Sequence, residues 1–185
     1  MEPTSNTVGV PLVIVAAEKS RFLEPYKVQA TLASWREGLA GHAVLAGLVA
    51  YAAHALPLVD PQGDPELVVR AYEEAPILDG APNPVAALRE AADMIADYSN
   101  ALTRPRLVVL LWSLKSRPRH LLRILANYIE SLGAGLLVVA YTAKRRPWLP
   151  RYFPGARIVE VDPMRPSRGS QAILDALRPW EGLGS

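Results

Sequence analysis

The chain lacks cysteine, long apolar runs and a leader-like N-terminus, and each absence excludes a class of protein. Without cysteine there are no disulfides, thiolate metal sites or cysteine nucleophiles. No apolar run approaches the roughly 20 residues that cross a bilayer, and residues 1–7 are polar and acidic, unlike a signal peptide. These features, with 50% hydrophobic residues, predict a soluble cytoplasmic protein without a membrane partner. We expect one domain over residues 1–185, with its core at about 8–178 and flexible ends at 1–7 and 180–185.

The motifs of several enzyme and cofactor-binding classes are also missing. His42, His54 and His120 show no helical pairing and no neighbouring carboxylate cluster, so they are expected to be structural. The segment 18–22 after the first strand contains no glycine, and a RecA-like domain would therefore lack its phosphate loop. No Gly-x-Ser-x-Gly elbow occurs. We expect no enzymatic activity and no cofactor, with a catalytically inactive RecA-like domain as one alternative.

The net charge of +2 conceals two oppositely charged halves of the chain. Residues 1–100 carry 6 basic and 13 acidic side chains, whereas residues 101–185 carry 14 basic and 5 acidic ones. Such asymmetry indicates a nucleic-acid face, an acidic partner or two faces of one fold. The 17 prolines are about twice the average usage, and proline-rich loops are a feature of thermophile proteins.

Apolar patterns predict strands that alternate with helices. Nearly continuous apolar runs at 7–17, 106–112 and 135–141 indicate strands buried on both faces. Residues 43–59 indicate a hairpin whose second strand lies at an edge, because Pro57 cannot donate to a ladder. The remaining predictions are a turn at 60–64 with Asp64 capping a helix, helices at 24–39, 85–98, 118–132 and 170–177, a basic aromatic connection at 144–154 and a strand at 156–161.

These elements predict an α/β fold with an open, mostly parallel central sheet of about six strands, helices on both faces and one antiparallel edge strand. The order also resembles a von Willebrand factor A (VWA) domain from residue 8 to about 162. PLVIVAAEKSRF resembles the family's first strand and aspartate–serine–serine signature, and LAGLVAYAAHALPLVD its hydrophobic hairpin. APNPVAALREAADMI, RLVVLLWSLKS and LGAGLLVVAYT resemble the threonine-preceded helix, the threonine–aspartate–glycine strand and the strand after it. The resemblance implies a Rossmann-like, VWA-like domain.

The VWA resemblance also implies where a metal site would be. The family often binds a divalent cation with oxygens from aspartates, serines and a threonine at its strand ends, as a hard cation requires. The resemblance assigns Ala16 to the first aspartate, Glu18 and Ser20 to the two serines, Pro82 to the threonine or its neighbour, and Ser113 to the second aspartate. Ala16 and Pro82 have no side-chain oxygen. The resemblance therefore implies a degenerate adhesion site without a metal.

Two surfaces are candidates for binding a partner. Ligands of open parallel sheets bind beyond the carboxyl ends of the strands, and residues 144–153 combine basic with aromatic side chains, as interface hot spots do. The same mixture suits nucleic acid, or else Trp148 and Phe153 pack against the sheet and the arginines are solvated. The candidate residues are Glu18, Lys19, Arg21, Asn83, Lys115, Arg117, Lys144, Arg145, Arg146, Trp148 and Arg151.

The resemblance implies a protein-interaction role rather than chemistry. Similar intracellular domains act as scaffolds in the lid–base region of the proteasome, in the repair and transcription helicase complex and beside AAA+ ATPases. We therefore expect a metal-independent interaction module whose partner is an acidic surface, an AAA+ ATPase or a multi-subunit complex. A nucleic-acid-associated protein that uses the basic C-terminal half is the alternative.

Overall fold

A computed structural model describes residues 9–98 and 104–180. The predicted flexible segment 1–7 lies outside these residues, as do residues 181–185 of the predicted flexible segment 180–185. No helix in the two ranges is long and apolar enough to cross a membrane. The elements are β1 (Leu12–Glu18), α1 (Pro25–Gly38), β2 (Leu45–Tyr51), β3 (Ala55–Gly63), α2 (Pro65–Glu74), α3 (Pro84–Asp97), β4 (Arg106–Trp112), α4 (Leu121–Ser131), β5 (Gly135–Tyr141), α5 (Leu149–Tyr152), β6 (Arg157–Val161) and α6 (Arg168–Leu177).

The sheet has the strand order β3-β2-β1-β4-β5-β6. Strand β3 is antiparallel to β2, and the other neighbouring strands are parallel. All seven residues of β1 are buried, which explains the continuous apolar run that the sequence shows there. The predicted fold class and the antiparallel edge strand are confirmed.

Helices cover both faces of the sheet. Alternate side chains of β1 enter different cores, because successive strand residues point to opposite faces. Ile14 packs in the core formed with α3, α4 and α5, whereas Val15 packs in the core formed with α1, α2 and α6. The chain order reverses between β1 and β4, so the edge at their carboxyl ends is the topological switch point.

Three segments differ from the sequence-based expectations. Residues 60–63, expected to form a turn, continue β3 along the edge of the sheet. Strands β2 and β3 can lie close together here because Gly47 has no side chain; a Cβ at this position would lie only 3.1 Å from Pro61 Cα. The β2–β3 register shifts beside Gly47. The connection at 144–154 contains the short helix α5. Trp180, expected in a flexible end, closes a 3₁₀ turn and packs against the α1–α2–α6 core.

The two charged halves of the chain become the two ends of the sheet. Residues 9–98, with 12 acidic and 6 basic side chains, build β1, β2, β3 and helices α1 to α3. Residues 104–180, with 14 basic and 4 acidic side chains, build β4, β5, β6 and helices α4 to α6. The strand order therefore converts a split along the sequence into a split across the molecule.

Asp64 caps α2 as expected, and its removal tests the local structure. Its Oδ1 accepts a hydrogen bond from Glu66 N at 2.9 Å, with Pro65 in the first turn. We expect Asp64→Ala to lower the free energy of unfolding by about 1 kcal/mol, whereas Asp64→Asn, which keeps a capping oxygen, has little effect. Urea denaturation measures both, and equal losses in the two variants would contradict the capping role.

Candidate functional site

A buried carboxylate joins the ends of the two central strands. Glu18 is the last residue of β1, and its side chain is fully buried. Its Oε2 accepts a hydrogen bond from Ser20 Oγ at 2.6 Å, and its Oε1 accepts one from Ser113 N at 2.8 Å. Glu18, Ser20 and Ser113, three of the positions singled out by the resemblance, therefore meet at the switch point. Both oxygens of the carboxylate are held by donors of the protein.

The two serine hydroxyls close the loops that follow β1 and β4. Ser20 Oγ accepts a hydrogen bond from Phe22 N at 3.0 Å, and Ser113 Oγ accepts one from Lys115 N at 3.2 Å. These side chains thus shape the backbone of their own loops. No group of three or more His, Asp and Glu side chains in residues 9–98 and 104–180 is arranged to hold a metal.

Ala16 and Pro82 do not approach this carboxylate as site residues. Ala16 lies inside β1, two residues before the strand ends, and packs in the core with α3, α4 and α5. Glu18, not Ala16, is the last residue of the strand. Pro82 is buried in the loop before α3. Neither side chain has an oxygen to contribute.

Tyr51, Tyr72 and Tyr141 lie near the Glu18 carboxylate, which has no surface exposed to solvent. Tyr72 OH donates to the backbone carbonyl of Glu18 at 2.7 Å, and Tyr51 OH donates to Leu111 O at 2.8 Å. Burial raises the pKa of the Glu18 carboxyl above its usual value, and the hydrogen bonds from Ser20 and Ser113 lower this pKa in part. Burial likewise raises the pKa of the Tyr51, Tyr72 and Tyr141 hydroxyls. The tyrosines therefore stay neutral at physiological pH.

Lys19 is buried, although the sequence suggested an exposed partner-binding residue. Its side chain turns towards α2, where Nζ donates to Tyr72 O at 2.7 Å and lies 4.3 Å from the centre of the Tyr72 ring. Burial lowers the pKa of the Lys19 ammonium, and the charge of Glu73 raises it. Lys19 is 3% exposed and Glu18 is 0% exposed, so neither can meet a partner directly. Both act through the loop that they support.

Asn83 is likewise used inside the fold. Its Oδ1 accepts a hydrogen bond from Ala86 N at 3.4 Å and caps α3. Its backbone N–H donates to Ala52 O at 2.7 Å, which ties the loop to the β2–β3 turn. Gly80 allows this close approach because it has φ +90°, and a Cβ there would lie 2.6 Å from Ala53 Cβ.

An open cavity of about 330 Å³ lies at the ends of β1, β4 and β5. We call it the strand-end crevice, and its lining residues are Arg21, Phe22, Leu23, Glu24, Lys27, Ser113, Lys115, Tyr141 and Pro163. Three cationic side chains line it against one carboxylate. Arg21 Nη2 lies 3.8 Å from Asp79 Oδ1 at an exposed position, and Lys27 Nζ lies 3.4 Å from Glu24 Oε1. Lys115 is exposed and has no ion pair with another residue of the described ranges.

The sequence reasoning missed the contributions of Lys27 and Tyr141 to this crevice. Lys27 stands in the first turn of α1, where the helix dipole disfavours a positive charge. This unfavourable position is the feature of the sequence that could have identified Lys27 as a site residue. Tyr141 ends β5, and its OH lies 2.7 Å from Thr31 Oγ1, a contact between residues 110 positions apart. Arg117, a sequence candidate, is exposed but does not line the crevice.

The basic aromatic segment forms a second, separate surface. A groove of about 960 Å³ runs beside the edge strand β6, and we call it the basic groove. Its charged lining residues are Lys144, Arg145, Arg146, Arg168, Glu160 and Asp162. Trp148 is half-buried and packs edge-on against Trp112 and Tyr152, with ring centres 6.3 Å and 5.8 Å apart. Its ring is thus used within the fold, as is that of Phe153, whereas Arg151 is exposed.

Comparisons with known proteins identify the fold. No family model matches the chain, and no curated protein matches it. An aerotolerance-related membrane protein from Bacteroides fragilis NCTC 9343 is 13% identical with a TM-score of 0.72, over 92% of this chain and all (100%) of that chain. A von Willebrand factor type A structure from Catenulispora acidiphila is 10% identical with a TM-score of 0.69, over 89% of this chain and 42% of that chain.

A third solved structure, BatB from Bacteroides thetaiotaomicron, is 13% identical with a TM-score of 0.66, over 93% of this chain and 98% of that chain. At these identities the likeness establishes the fold alone. The chain has a VWA-like fold, as the element order of the sequence predicted.

The raised pKa of Glu18 predicts a specific pH dependence of stability. The folded state holds the proton of the Glu18 carboxyl more tightly than the unfolded state does. The protonated carboxyl therefore makes its full stabilising contribution at a pH below the pKa that Glu18 has in the unfolded state. That contribution is lost as the pH rises through the folded pKa. The free energy of unfolding of the native chain, relative to Glu18→Gln, should therefore fall from acidic to neutral pH. Urea denaturation over this range measures the difference.

Two comparisons control this measurement. Lys19 is common to both chains, and the neighbouring tyrosines, whose pKa is raised by burial, stay neutral over this pH range in both chains. Glu18→Ala leaves Ser113 N–H without its acceptor and should be about 1–3 kcal/mol less stable than Glu18→Gln. A difference between native chain and Glu18→Gln that does not change with pH would contradict the expectation.

Proposed function

We propose that this chain is a non-enzymatic, metal-independent protein-interaction module whose strand-end crevice receives an acidic side chain of a partner protein. The observation that carries the proposal is the crevice lining, with three cations against one carboxylate at the switch point of the sheet. Lys115, from the basic half of the chain, has no competing ion pair within the described residues. A partner carboxylate therefore finds a cation that is free to bind it.

Arg21, a second cation of the crevice, can change its partner at small cost. The Arg21–Asp79 pair spans 3.8 Å and both side chains are largely exposed, so it contributes little to stability. Arg21 can leave Asp79 and form two parallel hydrogen bonds with an incoming carboxylate. Arg117, exposed two residues beyond Lys115, adds to the positive potential of the same loop.

Exposed apolar side chains belong to the crevice lining or lie next to it in the sequence. Phe22 lines the crevice and is 50% exposed, Tyr26 beside Lys27 is 54% exposed, and Met164 beside Pro163 is 79% exposed. Aromatic residues, methionine and arginine are enriched in protein interfaces. Contact with these side chains would remove water from the ion pairs and strengthen them. The composition fits a protein surface better than a small ligand.

The donor set at Glu18 supports metal independence. A hard cation such as Mg²⁺ needs several free oxygen ligands. Both oxygens of Glu18 accept hydrogen bonds from the protein, and the hydroxyls of Ser20 and Ser113 accept from backbone N–H groups. The nearby Arg21, Lys27 and Lys115 would repel a cation. These residues do not fit a bound divalent ion.

The VWA-like fold of the similar solved structures supports a role in protein interaction at this coarse level. We extend this coarse role to a more specific one, in which the chain is a scaffold within a multi-subunit complex. The basic half also suits nucleic acid as an alternative partner, but the rings of Trp148 and Phe153 pack against Trp112 within the fold and are not presented for stacking on bases. The geometry therefore favours an acidic protein surface.

Lys115→Glu should reduce the affinity of the chain for a short glutamate-rich peptide at least about tenfold, because a like charge replaces the attracting one. Fluorescence anisotropy with a labelled peptide measures this, with Arg70→Glu, an exposed site on α2 outside the crevice, as the matched control. The glutamine-substituted peptide should bind weakly to every variant. Equal affinities of the native chain for both peptides, or tighter binding of a single-stranded oligonucleotide, would overturn the proposal.

Isothermal titration calorimetry with Mg²⁺ or Mn²⁺ tests metal independence directly. We expect no saturable heat, and we expect peptide binding to be the same in magnesium and in EDTA. Ser20→Ala removes one hydroxyl near Glu18 and should leave the titration unchanged. Saturable micromolar binding that Ser20→Ala abolishes would show that the site holds a metal after all.

A further inference from the structure

An acidic groove lies at the sheet edge opposite the basic groove. It has a volume of about 310 Å³ between β3 and α3 and is lined by the carboxylates of Asp60, Glu90, Asp93 and Asp97, with no cation. The basic groove, beside β6, is lined by four cations and two carboxylates. The two grooves therefore carry net charges of opposite sign at the two ends of the molecule.

The sequence places the carboxylates of the acidic groove on one side of α3. Glu90, Asp93 and Asp97 follow at spacings of three and four residues, which bring them to one helix face. Half-buried Met94 and Tyr98 provide apolar surface between them. Like charges at this spacing repel one another, and none of these carboxylates has an ion pair within the described part of the chain. A cationic surface would relieve that repulsion.

The basic groove has the complementary composition. Lys144, Arg145 and Arg168 line it without ion pairs to other described residues. Pro147, Pro150 and the half-buried Ile158 add apolar surface. Arginine side chains can bind a carboxylate through two parallel hydrogen bonds. The basic groove thus offers both positive charge and apolar contact to a surface such as the acidic groove, which combines carboxylates with apolar side chains.

A single molecule cannot join its own grooves. They lie at the two edges of a six-stranded sheet, about 24 Å apart at a strand spacing of about 4.8 Å. The net charge of +2 leaves little overall repulsion between copies. Pro57 and Pro61 have no backbone N–H, so the β3 edge is poorly suited to pair with another strand. Contact at this edge would therefore be made by side chains.

We propose that a second copy of this chain docks head to tail, with its basic groove against the acidic groove of the first. The two surfaces are different, so the contact is heterologous and repeats into an open chain or a ring. The association depends on charge and weakens with salt, because the Debye length falls to about 3 Å at 1 M. This self-association uses residues outside the strand-end crevice and goes beyond the proposed function.

Sedimentation velocity of the full chain tests the proposal. At low salt the mean sedimentation coefficient should rise with protein concentration, and at high salt it should return to the monomer value. Lys144→Glu with Arg145→Glu reverses the basic groove, and Asp60→Lys with Asp93→Lys and Asp97→Lys reverses the acidic groove. All five side chains are exposed, so folding should be retained. Each multiple variant alone should remain monomeric at low salt.

Mixing the two multiple variants gives the decisive result. The variant with the reversed acidic groove has two basic ends, and the variant with the reversed basic groove has two acidic ends. An equimolar mixture should therefore associate, although neither variant does alone. Arg70→Glu with Arg123→Glu, exposed sites outside both grooves, makes the net charge more negative by the same amount as Lys144→Glu with Arg145→Glu, and this control should self-associate like the native chain.

A native chain that stays monomeric at every concentration in low salt would overturn the head-to-tail contact. So would association that survives both sets of substitutions, or a mixture that fails to associate. Lys115→Glu separates this proposal from the proposed function. It should weaken binding of the glutamate-rich peptide and leave self-association unchanged, so the failure of either proposal can be recognised on its own.

Discussion

The buried carboxylate of Glu18 supports the geometry of the whole strand-end edge. It accepts hydrogen bonds from Ser20 Oγ and Ser113 N, and so connects the loop after β1 to the loop after β4. Burying a charge is unfavourable unless its oxygens are hydrogen-bonded, and here both oxygens are. The same two loops form walls of the strand-end crevice. The shape of the exposed surface therefore depends on a group that no partner can reach.

Polar contacts between distant elements complete this framework. Tyr72 from α2 donates to the backbone of Glu18, and Lys19 donates to the backbone of Tyr72. Thr31 on α1 meets Tyr141 at the end of β5 and donates to Pro166 O before α6. Because these groups are satisfied internally, the chemistry left for a partner comes from exposed cations and apolar side chains.

The central position of β1 also organises the electrostatics. A strand buried on both faces needs neighbours on both sides, and here the first half of the chain supplies one side and the second half supplies the other. The opposite charges of the two halves are thereby separated across the sheet. At physiological salt the Debye length of about 8 Å is shorter than the sheet is wide, so each end presents its own charge to a neighbour.

The sequence by itself determined the strands, the edge position of β3, the cap of α2 and the charge of each half, because side-chain periodicity, proline and capping act over a few residues. Only the tertiary structure decided which charges are exposed. Lys19 is buried because Tyr72, 53 positions away, packs against it. The grooves likewise join side chains from distant segments, such as Asp60 with Asp97 and Lys144 with Arg168. Burial and charge environment depend on such long-range contacts, which local patterns do not encode.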